Sequence, residues 1–333
     1  MNHSNMSHQS FENDTECDIK LKDVVDSIQN DPSISDEDKG KFLRNFNRLK
    51  RNKLNLMIVG GTGTGKSSTI NALFDTDIAK VGKGSDPETM SINRYVLDNL
   101  ILWDTPGLGD GKEADQRHTK IIINKLHEKD SKGDLLIDMV LVIVDGSSRD
   151  LGTTYQLIND VIIPNLGEDK HRILVAINKA DKAMDDCWDL TDNKPEPELV
   201  EFLEDKVIST KERIKEATGI DVDVIYYSAG NGAKRKPYNL SKLLAFIVRH
   251  TKKRKRFLMA DKINQNDENW SSGQESIKFI EETKKSFWDS FVDNLADGID
   301  AGIEIVKKGA KTLGVVGSAV SKYWKRLFSD FIR

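Results

Sequence analysis

One stretch constrains this chain more than any other: Gly60-Gly61-Thr62-Gly63-Thr64-Gly65-Lys66-Ser67-Ser68, which contains the spacing G-x-x-x-x-G-K-S. The apolar run Leu54-Asn55-Leu56-Met57-Ile58-Val59 precedes it and reads as a buried strand. Ser67 to Phe74 follows and reads as the start of a helix. Strand, glycine loop and helix N-terminus in that order are the context a phosphate-binding loop requires. Glycines allow consecutive backbone N–H groups to turn inward around phosphate oxygens. The helix N-terminus adds partial positive charge and Lys66 adds a full one. Gly61, Thr62, Gly63, Thr64, Gly65, Lys66, Ser67 and Ser68 are therefore the candidate phosphate-binding residues, with the Ser67 hydroxyl suited to Mg²⁺.

Three further motifs sit at the ends of apolar runs. Asp104-Thr105-Pro106-Gly107 follows Leu100–Trp103. An acid there can hold Mg²⁺ opposite Ser67, and Gly107 can bring a backbone N–H to a γ-phosphate. Asn178-Lys179-Ala180-Asp181 follows Ile173–Ile177. A carboxylate there can accept hydrogen bonds from guanine N1–H and the exocyclic amine. Adenine has neither donor and would leave the carboxylate unpaired, which is strong discrimination. Asn178 and Lys179 can brace the loop and lie over the base. Ser228-Ala229 ends the next run and can supply a backbone N–H to the guanine carbonyl. Each motif alone is moderate evidence; four in this order point to GTP and GDP with Mg²⁺.

Apolar runs recur at Leu54–Val59, Leu100–Trp103, Met139–Val144, Ile173–Ile177 and Val224–Tyr227, with helical stretches between them. This predicts an α/β fold, doubly wound, with a mainly parallel sheet covered on both faces. Ser91 to Leu97 is expected as an edge strand. Residues 1–16 read as disordered. A helical hairpin follows. Its first helix carries Leu21, Val24, Val25 and Ile28. Its second starts at the capping-box-like Ser35-Asp36-Glu37-Asp38 and carries Phe42, Leu43, Phe46 and Leu49. Asp185 to Pro197 reads as an inserted loop, Glu198 to Thr218 as a long helix, and Leu240 to Arg249 as the last helix of the sheet domain. Residues 262–275 are rich in Asn, Ser, Gln and acid, and read as a linker. Trp288, Val292, Leu295, Ile299, Ile303, Val306, Ala310, Leu313, Val316, Val320, Trp324 and Leu327 then recur at helical steps. Gly298, Gly302, Gly309, Gly314 and Gly317 weaken a single long helix; they allow close helix approach, or a break into two helices that fold back. The division expected is 1–50 (tail and hairpin), 51–258 (nucleotide domain) and 259–333 (linker and C-terminal helices).

Composition removes other classes. No run of about eighteen apolar residues is present, so no spanning helix is expected. Met1 to Phe11 is polar and does not read as a signal peptide. Cys17 and Cys187 lack metal or redox spacing, which suggests a cytoplasmic setting. The net charge of −4 argues against general nucleic-acid affinity, DNA included. The charge is uneven: residues 11–40 hold ten acids against three lysines, and residues 299–333 hold seven basic groups against three acids.

Between Lys53 and Arg256 the chain resembles TRAFAC-class P-loop GTPases of the Era-like and septin-like groups, and in particular the bacterial YeeP/YfjP-type branch labelled 50S ribosome-binding GTPase. The resemblance implies a six-stranded sheet, GTP binding with Mg²⁺, and slow hydrolysis coupled to switch movement. It places the first switch in Val81 to Ser91, where Thr89 resembles the threonine that coordinates Mg²⁺ and senses the γ-phosphate. The second switch is expected from Gly107 to about Lys120. Lys66, Thr89 and Gly107 are the candidate catalytic residues; Ser67, Thr89 and Asp104 are the candidate metal ligands.

Two departures from the family pattern matter. Leu108 holds the position of the water-orienting glutamine, and an apolar side chain cannot orient water. Intrinsic hydrolysis is expected to be slow, or completed by a group from elsewhere; Arg94, Arg117 and His118 are candidates by charge alone. Gly63 stands where potassium-recruiting loops have asparagine. That form resembles dimer-forming GTPases, so activation by homodimerisation across the nucleotide face is expected. The switch has three readings. One is a ribosome-associated GTPase using the basic patches Lys252–Arg256 and Lys307–Arg326. Another is a membrane-surface or self-assembling GTPase using the aromatic and basic C-terminal helices, peripheral to a membrane. The third is a binding module without turnover.

Overall fold

The computed structural model describes residues 25–74, 92–109, 111–184, 186–230, 235–264, 266–270 and 274–312. The predicted Leu21 and Val24 lie outside them, as do Val81–Ser91 with Thr89, and the pattern from Leu313 to Leu327. The chain divides into two compact units. One comprises Lys53–Lys252 with Lys262–Thr283, and the other Met1–Asn52, Lys253–Asp261 and Lys284–Arg333.

The first unit is built on a six-stranded sheet of β1 (Leu54–Gly60), β2 (Asn93–Leu97), β3 (Leu100–Asp104), β4 (Met139–Asp145), β5 (Ile173–Asn178) and β8 (Asp223–Tyr226), in the order β2-β3-β1-β4-β5-β8. Only β2 is antiparallel. The four central strands are almost wholly buried, as expected of parallel strands covered on both faces. At the edge, β2 alternates half-buried with exposed residues, the pattern of a strand with one wet face. In the interior, Trp103 Nε1 donates to Asn55 Oδ1 at 3.0 Å, which satisfies both buried groups.

The helices follow the apolar periodicity. They are α2 (Lys66–Leu73), α3 (Lys112–His127), α4 (Gly152–Gln156), α5 (Pro197–Thr218) and α6 (Leu240–His250); α4 widens into a π-helical turn, Leu157–Ile162. In α5, Leu199, Leu203, Val207, Thr210 and Ile214 form the buried stripe. Pro197 opens this helix and Gly219, at φ 73°, closes it. Two local expectations need correction. The inserted loop before α5 contains a two-stranded ribbon, β6 (Trp188–Asp189) with β7 (Lys194–Pro195). Trp188 is buried there, edge-on to Tyr238 with ring centroids 5.2 Å apart. The second switch was expected to run to about Lys120, but regular helix begins at Lys112.

A larger correction concerns the stretch 262–275 expected as a linker, in which the described residues Asn264, Asn269 and Trp270 are fastened by hydrogen bonds. Asn264 N–H donates to Leu73 O at 2.9 Å, and its amide donates to Asn71 O at 2.9 Å. Asn269 donates to Ala72 O at 3.2 Å. These carbonyls are the orphan acceptors at the C-terminal end of α2, and one backbone N–H and two side-chain amides satisfy them. Trp270 is buried, and its indole donates to Asn264 O at 2.8 Å. The polar composition that suggested a linker is a helix cap.

The second unit contains a helical segment at residues 25–30 and α1 (Asp36–Arg51), capped by the Ser35 hydroxyl accepting from Asp38 N–H at 3.1 Å. Phe42, Asn45, Phe46 and Leu49 are buried, whereas Leu43, expected on the same face, is exposed. The helix α7 (Gln274–Ala296) begins in the first unit and ends in this one. Asn45 donates to the carbonyls of Leu295 and Asp297 at 3.0 and 2.8 Å, so a buried amide caps the end of α7. Gly298 and Ala301 take left-handed φ values of 71° and 54°, and α8 (Gly302–Thr312) follows. Among the described residues, up to Thr312, the glycine-weakened pattern is thus broken into two helices. Val306 is buried in α8, but Ile303 is exposed, against expectation.

Two outcomes follow from this packing. Trp270→Ala should lower unfolding stability in urea by about 3–5 kcal/mol, the cost of deleting a buried aromatic; a tether residue would change it by less than about 0.5 kcal/mol. Asp223, at the start of β8, accepts from His250 Nε2 at 3.0 Å. That bond above all holds its carboxyl below the ordinary carboxylate range, with burial opposing. A depressed acid stabilises the fold above its unfolded value of about 3.9 and loses that contribution as pH falls through the folded value. Asp223→Asn should therefore flatten the pH dependence of stability in that acid window, measured by denaturant titration; an unchanged slope would contradict the assignment.

Candidate nucleotide site

The C-terminal ends of β1, β3, β5 and β8 carry the four motifs, and the parallel register of the sheet brings them to one edge. The loop from Gly60 to Gly65 is shaped by its glycines. Gly63 and Gly65 have φ of 73° and 95°, in the left-handed region that side chains avoid. A Cβ on Gly65 would run into the Asn178 amide, whereas one on Gly63 would meet nothing within 4 Å. Gly65 is therefore fixed by its neighbour, while Gly63 faces open space. Thr64 is buried and donates to Gly61 O at 3.0 Å. The Lys66 ammonium reaches back over the loop to Gly60 O and Gly61 O, at 3.2 and 3.0 Å. Below the loop, Thr69 and Tyr227 join hydroxyls at 2.6 Å and pin α2 to the residue following β8.

Asp104 ends β3 with its side chain almost fully buried. Its Oδ2 accepts from the Ser67 hydroxyl at 3.3 Å, while Oδ1 is buried with no hydrogen-bond partner. Burial raises its pKa, against the opposing effects of Lys66 and the Ser67 bond. A buried carboxylate with a spare oxygen beside a serine hydroxyl fits a hard cation that takes oxygen ligands and keeps its water. Ser67 and Asp104 therefore suit Mg²⁺. Among the described residues no cluster of three His, Cys, Asp or Glu gathers as an all-protein metal cage.

The segment after Asp104 is zipped to the phosphate loop. Thr62 N–H donates to Leu108 O at 3.0 Å, and Gly61 and Leu108 form a parallel bridge. A Cβ on Gly107 would clash with Thr62, side chain and backbone alike, so only glycine fits this approach. His118 is buried and its Nδ1 donates to Gly107 O at 2.8 Å. This gives His118, a candidate by charge alone, a positional role that its spacing did not suggest. Arg117 is exposed, and Arg94 lies over the Trp103 ring at 5.6 Å. The Leu108 side chain is buried in the core beneath the sheet. Thr89 lies outside the described residues.

The base-recognition end is cross-braced. Asn178 Nδ2 donates to Thr64 O at 2.9 Å, and its Oδ1 accepts from Ala229 N–H at 3.0 Å. Of the two N–H groups of Ser228-Ala229, expected to offer a donor to a guanine carbonyl, that of Ala229 is thus engaged with Asn178 and that of Ser228 donates to Tyr238 O at 3.0 Å. Lys179 adopts φ 62° and pairs with Asp145 at 2.6 Å. Burial pushes the Asp145 carboxyl up, but the bonds from Lys179 and Ser147 outweigh it and leave it lowered. Asp181 Oδ1 accepts from the Ser228 hydroxyl at 2.7 Å, and Oδ2 pairs with Arg235 at 2.8 Å. No motif pointed to Arg235 or Asp145. They arrive through tertiary folding, and only their charge marks them in the sequence.

The orphan oxygen of Asp104 gives a direct test. Asp104→Asn keeps the size and removes the buried charge, so it should leave the metal-free protein at least as stable as the unaltered chain, while removing the stabilisation that Mg²⁺ adds with a nucleoside triphosphate. Thermal unfolding with and without both ligands measures each effect; a destabilised metal-free variant would contradict this account of Asp104.

Comparison with known proteins agrees with this arrangement. Residues 55–179 match the family described as 50S ribosome-binding GTPase. The chain is 29% identical over 167 residues to the uncharacterized protein YkfA of Escherichia coli, covering 49% of this chain and 53% of that protein. It is 27% identical over 337 residues to the tRNA modification GTPase MnmE of Lactobacillus helveticus, covering 98% of this chain and 60% of that one. It is 36% identical over 89 residues to the probable GTP-binding protein EngB of Thermotoga maritima, covering 26% and 44% respectively. The chain thus spans about half the length of the curated relatives it matches. The glycine loop, Asp104 and the Asn178–Asp181 motif coincide on one sheet edge, and the segment 55–179 that spans them is similar to the family described as 50S ribosome-binding GTPase.

Proposed function

We propose that this chain binds GTP and GDP with Mg²⁺ and hydrolyses GTP to GDP and phosphate, acting as a switch. The observation that carries this reading is the placement of Asp181. Its carboxylate stands at the end of β5, next to an asparagine that is hydrogen-bonded to the phosphate loop. Base and phosphate recognition are thereby held at fixed separation.

The chain's own residues have distinct parts in the reaction. Lys66 and the loop N–H groups hold the phosphates and offset charge developing on the γ-phosphoryl oxygens. Ser67 and Asp104 would hold Mg²⁺, which would supply positive charge to offset that of the phosphates. Gly107, held by His118 and pressed on Thr62, presents its N–H on the γ-phosphate side. Leu108 is buried and has no polar atom to orient water, so intrinsic turnover is slow. Gly63, with open space around it, supports activation by a second copy across the nucleotide face. Loss of the γ-phosphate releases the Gly107 segment, and Thr89 with it.

A second observation bears on partners. In the basic run, Lys253 pairs with Asp293 at 2.5 Å, Arg254 pairs with Asp297 at 3.2 Å, and Arg256 donates to Ser286. These cations are partly neutralised within their own unit, which weakens the case for this patch on ribosomal RNA. Phe291 is buried against Phe257, with centroids 4.9 Å apart, and is not displayed to lipid. Both points favour helix packing or self-association over RNA or membrane contact. Among the described residues no helix is long and apolar enough to cross a membrane.

Asp181→Asn tests the reading directly. An amide presents an N–H where the carboxylate accepted, so it suits the 2-keto group of xanthine and not the 2-amino group of guanine. The substitution should weaken GTP binding by at least about a hundredfold and favour xanthosine triphosphate, measured by competition against a fluorescent nucleotide. Unchanged GTP affinity would sink the guanine assignment.

A further inference from the structure

We propose that Arg235 is an internal competitor for the Asp181 carboxylate, a built-in mimic of the guanine edge that sets how tightly nucleotide is held. The inference rests on the reading of Asp181 given above and extends it to a residue no motif contains. The Arg235 guanidinium donates through one nitrogen to Asp181 Oδ2 at 2.8 Å and to Asp181 O at 2.7 Å. Oδ1 is taken by Ser228. A carboxylate has about four acceptor directions, so two bonds alone do not exclude a base. Coverage does: the Asp181 side chain is 6% exposed, and Arg235, at 33%, lies on it. A base edge reaches that carboxylate by displacing the arginine.

The chemistry of the two rivals is the same. Guanine presents N1–H and a 2-amino group on one carbon, which is a guanidine-like edge. Arginine presents the same planar arrangement with a full positive charge. Exchange of one for the other leaves the carboxylate paired throughout, so no buried charge is stranded at any point. Adenine cannot take part because it lacks both donors. Arg235 therefore lowers affinity for guanine nucleotides while leaving discrimination against adenine intact.

The backbone around Arg235 keeps it in place. Ser228 and Tyr238 exchange backbone hydrogen bonds at 3.0 and 2.9 Å, which fixes the chain three residues after Arg235. Asn193, next to β7, donates to Lys236 O at 3.3 Å and Pro237 O at 3.1 Å. Lys236 pairs with Glu268 at 3.4 Å. Gly230, at φ 74°, packs against the Arg235 carbonyl so closely that a Cβ there would overlap it at 2.6 Å. The arginine is carried on a braced stem whose fastenings include the β6–β7 ribbon.

The functional consequence is release of GDP without an exchange partner, because the arginine takes back the carboxylate as the base leaves. The test uses the full chain and fluorescent GDP in stopped flow, with Arg235→Ala and Arg235→Lys beside the unaltered protein. Arg235→Ala should slow GDP dissociation and tighten GDP binding by about tenfold, the ratio that 1.4 kcal/mol corresponds to. Arg235→Lys, which keeps the charge but loses the planar fork, should fall between. In an Asp181→Asn background, where the ion pair no longer exists and the bond to the backbone carbonyl remains, Arg235→Ala should change xanthosine diphosphate release much less than it changes GDP release in the unaltered chain. Thermal unfolding checks that each variant is folded. Preference for guanine over adenine with an unchanged or faster GDP release in Arg235→Ala overturns this proposal alone. Absence of guanine preference in the unaltered chain overturns the underlying reading and this proposal together.

Discussion

The carboxamide of Asn178 is the joint on which the site depends. It donates to the carbonyl of Thr64 in the phosphate loop and accepts from Ala229 after β8. Three strand ends far apart in sequence are thus locked by one side chain that has both a donor and an acceptor. Gly65 must lack a Cβ because that amide occupies the space. The left-handed turn at Gly65, the start of α2 and the height of the Lys66 ammonium all follow from this contact. An aspartate in this place could not donate to Thr64, and a leucine could do neither, so the loop and the base site would lose their common reference.

Polar burial in the site is arranged for exchange, not for maximum stability. Asp104 keeps one buried oxygen without a partner and has a raised pKa. Asp181 has both carboxylate oxygens paired by its own chain. In the function proposed above, a ligand would improve or replace the pairing of each carboxylate, a cation at the first and a base at the second. Unpaired buried groups destabilise a fold, so such a site gains stability when ligands bind. The sheet beneath, with its fully buried central strands, supplies the rigidity that makes these placements repeatable.

The parts legible in the sequence are those governed by local rules. Burial on both faces makes β1, β3, β4 and β5 continuous apolar runs, so their existence and the motifs at their ends could be read directly. The α5 helix was legible from its stripe and its proline and glycine ends, and the break at Gly298 from glycine spacing. What escaped was set by distant partners. Residues 262–275 look like a linker because asparagine favours loops, yet Asn264 and Asn269 are caps for α2. Leu43 and Ile303 fit a helical stripe but face solvent. Two-residue strands such as β6 and β7 leave no period to detect. Arg235 and Asp145 meet their partners through the meeting of separate strand ends, which no single-sequence spacing encodes.

The central claim is that this site turns over GTP, slowly and through the phosphate loop. Multiple-turnover phosphate release from GTP with Mg²⁺, compared with ATP and with the Lys66→Ala chain, addresses it most directly. The account predicts measurable release from GTP alone, lost with Lys66→Ala and rising in specific rate with protein concentration. Equal release from ATP, or release that persists in Lys66→Ala, would contradict it.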